Sequence, residues 1–70
     1  MDIKIDWDVF LQSKAGMKAL ADFAEGKKNN RELWTACRSS ECRREINRMR
    51  VMSNYDSRQQ AARFLRRHKS

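Results

Sequence analysis

A chain of 70 residues with no proline, and with Gly16 and Gly26 as its only glycines, lacks the punctuation that β-turns require. A sandwich or barrel needs a turn signal roughly every eight to twelve residues, so all-β architectures are excluded and helices become the default. The length allows one small domain, which rules out a multi-domain enzyme. With 36% charged residues against 40% hydrophobic ones, the chain can bury a core, though not a generous one. The fold expected is all-α: a small bundle of three to four short helices with an extended N-terminal arm, in a single helical domain spanning 1–70.

Ile3, Ile5 and Trp7 alternate with Asp2, Lys4 and Asp6. This is the period of a strand, but one with no partner in the chain, so 1–6 is expected to lie as an arm against the helices. Asp6 can cap a helix over 7–25, in which Val9, Phe10, Met17, Leu20, Ala21, Phe23 and Ala24 share a face at 100° per residue. Gly26 follows as a natural C′ residue, and Gly16 within the helix marks a close crossing or a kink. Asn29 and Glu32 have the spacing of a capping box and open a helix over 30–38. The stripe Leu33, Ala36, Cys37 and the stripe Cys42, Ile46, Met49 lie about half a turn of the wheel apart. A break at Ser39-Ser40 explains this, with Ser40 capping a helix over 40–52. Asp56 with Gln59 starts the last helix, 57–67, whose seam is Ala61, Phe64, Leu65 and His68.

The N-terminal segment carries Asp2, Asp6 and Asp8 and no apolar stretch of signal-peptide length, and no apolar run approaches the length of a membrane span. A cytoplasmic protein without membrane association is therefore expected. Cys37, Cys42 and His68 supply at most three soft ligands where structural zinc wants four, so neither a metal nor another cofactor is expected. On a continuous helix the two cysteines would point about 140° apart, and two reduced, half-buried thiols are the simplest reading. Gly-rich loops, Cys-x-x-Cys, His-Glu-x-x-His and Gly-x-Ser-x-Gly are all missing, which speaks against catalysis and leaves no catalytic residue to name.

The charge is unevenly divided. The formal net charge is +7, made of −2 over residues 1–25 and +9 over residues 26–70. The candidate cations are Lys27, Lys28, Arg31, Arg38, Arg43, Arg44, Arg48, Arg50, Arg63, Arg66 and Arg67. Most are arginine, which grips phosphate with paired hydrogen bonds where lysine offers a point charge. Around the third helix Arg43, Arg44, Arg48 and Arg50 span about 160° opposite the apolar stripe, with Asn47 among them. On the last helix Arg63, Arg66 and Arg67 with Gln59 oppose Ala61, Phe64 and Leu65.

These features point to a small nucleic-acid-binding protein that contacts the phosphates of DNA or RNA through arginine-rich helix faces. The third and last helices have the connection length of a helix-turn-helix pair, with Gln59, Gln60 and Arg63 as groove readers, but lack the usual turn glycine. The alternative is a non-enzymatic regulator or inhibitor, of the accessory kind found in phages and mobile elements, that docks on an acidic surface of a larger protein or nucleoprotein machine. Trp7 and Leu11 fall off the main apolar face and Trp34 lies to one side of Leu33 and Cys37, so these three are candidate hydrophobic contacts for a partner, a second copy of the chain included.

Overall fold

The computed structural model describes residues 3–68; residues 1 and 2, which begin the expected arm, lie outside that range. Among the described residues all regular structure is helical. A 3-10 helix, Trp7–Gln12, precedes four α-helices: α1 (Lys14–Ala24), α2 (Asn30–Ala36), α3 (Ser40–Met49) and α4 (Asn54–His68). Among the described residues no helix is long and apolar enough to cross a membrane.

The single helix expected over 7–25 is two. Ser13 has extended backbone, φ −144° and ψ 154°, and its Oγ accepts the N–H of Gly16 at 3.0 Å, which starts α1 afresh. The chain folds back sharply here. A Cβ on Gly16 would lie 2.7 Å from the Phe10 carbonyl oxygen, so the absent side chain is what lets the 3-10 helix pack against α1. The apolar pattern carried no sign of the break because residues on both sides of it, Val9, Phe10, Leu20 and Phe23, enter the same core.

Helix α1 closes as a Schellman motif. Gly26 has φ +85°, its N–H donates to the Phe23 carbonyl at 3.1 Å, and the Lys27 N–H donates to the Asp22 carbonyl at 2.8 Å. The Asn29–Glu32 capping box forms in both directions, at 2.9 and 3.1 Å. Helix α2 stops at Ala36, short of the expected 38, because Cys37 turns extended; Ser39 rather than Ser40 then caps α3, its Oγ accepting the Cys42 N–H at 3.1 Å. Helix α3 ends at Met49 rather than 52. Helix α4 begins three residues earlier than expected because Ser53, not Asp56, supplies the capping oxygen, which accepts the Asp56 N–H at 3.1 Å.

Helix α1 is the hub: it packs against α4, α2 and the 3-10 helix, while α3 packs against α2 and the 3-10 helix. Phe10, Leu20, Phe23, Leu33, Ile46, Met49 and Ser57 are the largest fully buried side chains at the centre. Residues 3–6 lack regular structure but are tied to α3. The Asp6 N–H donates to Glu45 Oε1 at 2.9 Å, an Arg48 N–H donates to the Lys4 carbonyl at 3.4 Å, and Ile5 is buried. Glu45, a carboxylate buried within α3, is satisfied by that N–H and by Arg48 at 3.5 Å.

Candidate nucleic-acid interface

Candidate cations stand around α2 and α3 and on α4. Helices α3 and α4 are held by different neighbours, α3 by α2 and α4 by α1, and share no extensive packing. This corrects the helix-turn-helix pairing expected of them, in which the two helices must pack together. The basic residues fall instead into a set around α2 and α3 and a set on α4.

The first set is organised by Trp34. Its indole, half-buried on α2, is overlaid by two guanidinium groups from the far side of the α2–α3 turn, Arg43 at 5.0 Å and Arg50 at 5.4 Å from the ring centroid. Positions 43, 47 and 50 are spaced i, i+4, i+7, so Arg43, Asn47 and Arg50 share the side of α3 that looks toward α2, with Arg44 next to them and exposed. Arg43 is further fixed by its Nε–H, which donates to the Cys37 carbonyl at 3.1 Å and leaves the terminal N–H groups of the fork for another acceptor. Arg38 is exposed in the turn, and Arg31 is exposed on α2 one helical turn before Trp34. Trp34 thus serves as the platform of an arginine cluster rather than as a bare hydrophobic contact.

Local charge balance separates working cations from spent ones. Among the described residues, ion pairs join Lys27 to Glu25 at 3.1 Å, Lys28 to Asp22 at 3.9 Å and Arg48 to Glu45 at 3.5 Å. The Lys27 ammonium pKa is raised by its hydrogen bond to Glu25, as expected of a paired cation. Arg48 is further committed to the Lys4 carbonyl, so it secures residues 3–6. No carboxylate lies within ion-pairing distance of Arg31, Arg38, Arg43, Arg44 or Arg50 among the described residues.

On α4, Arg63, Arg66 and Arg67 are exposed on the outer side, as the helical wheel predicts, and Gln59 is half-buried. Arg58, which the sequence reading left out of the candidate site, is structural. Its Nε–H and an Nη–H donate to the carbonyls of Phe23 at 3.2 Å and Lys28 at 3.3 Å, and its guanidinium lies 5.3 Å from the Phe23 ring centroid. It places a cation where α1 ends. A signal for this was present: positions 58, 61 and 65 form one helical stripe, so Arg58 sits on the apolar seam and not opposite it.

Trp7 is 8% exposed and lies 6.0 Å from the Phe10 ring, which makes it core and withdraws it as an exposed contact. Leu11 is half-buried and lines a groove between α1 and α4. Cys37 and Cys42 are both buried and free, and the Cys42 thiol donates to the Val9 carbonyl at 3.2 Å. Burial, reinforced by the neighbouring Cys42, pushes the Cys37 thiol up to about 12, so it stays protonated and unreactive at neutral pH. No group of three or more His, Cys, Asp or Glu side chains able to hold a metal occurs among the described residues. The chain matches no known protein family, no curated protein and no solved structure.

Proposed function

We propose that this protein binds nucleic acid through its phosphate backbone, with the α2–α3 face as the contact surface. One observation carries this reading: Arg43 and Arg50 lie over Trp34, and they, with Arg31, Arg38 and Arg44, have no carboxylate partner among the described residues. Cations gathered without counter-charge repel one another, and a phosphate chain relieves that repulsion while releasing its own condensed counterions. The indole narrows the rotamer freedom of two of the guanidinium groups, so less entropy is lost when they take up phosphate oxygens. Asn47, exposed between them along α3, adds an amide that can hydrogen-bond a base edge or a sugar.

In this reading the molecule is a four-helix bundle with a short N-terminal arm. Arg48 and Glu45 pin the arm to α3 and hold that helix in place for binding. Arg63, Arg66 and Arg67 add long-range attraction from a separate face. Two buried free thiols suit a reducing compartment, and the cytoplasm is the location we propose.

The test is fluorescence anisotropy with labelled duplex DNA, single-stranded DNA and RNA at two salt concentrations. Binding that weakens steeply with salt, and that is lost in Arg44→Glu with Arg50→Glu while the melting temperature is kept, is expected. Absence of binding to all three probes at low salt would remove the reading.

A further inference from the structure

A second surface, unrelated to the arginine cluster, runs along the seam of α1 and α4. A cavity of about 340 Å³ opens there, floored by Leu11, Met17, Ala21, Ala24, Ala62 and Leu65. An adjoining cleft, also about 340 Å³, continues it past Arg58 and Gln59 to Tyr55 and shares Ala24, Ala62 and Arg66 with the first. The two form one trough, and from Tyr55 to His68 it runs for about 20 Å at the rise of an α-helix. Met17 is 44% exposed and Tyr55 71%, so apolar surface that the core has not taken up remains in contact with water. The sequence placed Met17 on the core face of its helix; the structure leaves it at the edge of this trough.

The rims are basic. Arg66 supplies the cation on the α4 side. By helical spacing the exposed Lys14 and Lys18 lie on the solvent side of Met17 and Ala21 on α1. Two carboxylates stand near the edge: Glu25, engaged by Lys27 at 3.1 Å, and Asp8, whose Oδ1 lies 3.9 Å from His68 Nε2.

We infer that this trough is a docking site for an amphipathic α-helix of a partner protein, one that carries large apolar side chains on one face and carboxylates along its flanks. The alanine floor lets a second helix axis approach closely, and a row of leucine-sized side chains spaced i, i+4 fits between the two walls. The basic rims then face the partner's acidic flanks, which speeds encounter and fixes orientation. Two other occupants fit less well. A second copy of this chain, related by a two-fold axis, would bring Arg66, Lys14 and Lys18 of both copies together. An anionic bilayer needs apolar side chains that protrude beyond the charged ones, whereas here the apolar floor is recessed. The inference does not depend on nucleic-acid binding and would make the protein an adaptor with two separate faces.

The test uses two synthetic helical peptides of about four turns, alike in their leucine face and carrying either glutamates or lysines on the flanks. Each is titrated into the full-length isotope-labelled protein while the methyl resonances of Met17, Ala21, Ala24 and Ala62 are followed. Saturable shifts at those methyls are expected with the acidic peptide, with affinity about tenfold or more weaker for the basic one. Met17→Glu should weaken the acidic peptide by a similar factor, about tenfold, without moving the melting temperature or nucleic-acid affinity. If that variant does not fold, Ala62→Glu replaces it. In these titrations the inference is overturned by no shifts up to about 1 mM peptide, by equal response to both peptides, by shifts confined to α3, or by equal response of the same methyls to anionic phosphatidylserine vesicles. A free protein that sediments as a dimer, with these same methyls shifting as it is diluted, would overturn it in favour of a second copy.

Discussion

The salt dependence of nucleic-acid binding, and its change when two arginines are removed, follows from the charge accounting around Trp34. Each phosphate neutralised on duplex DNA contributes about 0.9 to the slope of log affinity against log salt, and about 0.7 on a single strand. Arg31, Arg38, Arg43, Arg44 and Arg50 have no carboxylate partner among the described residues. If each meets a phosphate, the duplex slope is about −4.5, and raising salt from 50 to 200 mM should weaken binding roughly 500-fold. Arg44→Ala with Arg50→Ala leaves three such contacts, a slope near −2.7 and a loss of roughly 40-fold over the same range. Arg44 is exposed on α3, and Arg50 follows its last residue, reaching over the indole, so neither change opens a cavity in the core. Anisotropy titrations at four or five salt concentrations give both slopes, and circular dichroism checks that the variant is folded. Arg63→Ala with Arg67→Ala, on the outer side of α4, is the comparison and should lower the slope by less than the α3 pair does, since these residues act only at long range. A parent slope shallower than about −2 would refute the account of the cluster. So would an α4 pair that lowers the slope as much as the α3 pair does.

Three further outcomes test how the scaffold holds that face. Gly16→Ala should destabilise by about 1 to 3 kcal/mol in thermal or urea melts although alanine is the better helix former, because the new methyl meets the Phe10 carbonyl oxygen at 2.7 Å; a more stable variant would show that the 3-10 helix can move away freely. Arg58→Ala should cost about 1 to 3 kcal/mol, through loss of its bonds to the Phe23 and Lys28 carbonyls, and Arg58→Lys should recover only part of it because an ammonium cannot reproduce the fork; full recovery by lysine would reduce the role to charge alone. Stability should decline with alkaline pH through Cys37: the unfolded thiol ionises near about 8.5 while burial holds the folded one at about 12, so between these values the native state binds the extra proton and unfolding is favoured as pH rises. The contribution is intact below that window, and Cys37→Ala should flatten the decline in denaturant melts recorded from pH 8 upward; an unchanged pH profile would count against it.

Local signals in the sequence are decisive where a few neighbouring residues suffice to set the backbone. Asn29 with Glu32, and Gly26 after α1, are such cases, because a cap or a Schellman turn closes within six residues. The break between Cys37 and Cys42 was legible from two apolar stripes that cannot share one helix. The fold back at Ser13 was not, since Gly16 reveals its purpose only when the Phe10 carbonyl is seen against it. The arginine-rich side of α3 could be drawn on a wheel, but how α3 and α4 pack could not, and in the folded chain they share no extensive packing. Trp34, Arg43 and Arg50 lie on opposite sides of a turn, so no periodicity links them, and the buried carboxylate Glu45 that occupies Arg48 is likewise invisible to charge counting.

The sequence by itself determined that the chain is helical, basic toward its C-terminal part and capped where the capping residues stand, because these follow from composition and from contacts a few residues long. The tertiary structure decided which cations stay unpaired, which tryptophan enters the core and which becomes a platform for arginine, and where apolar surface is left over in the trough between α1 and α4. The physical reason is that charge pairing and desolvation depend on distances between residues far apart in the chain, and only the packed molecule sets those distances.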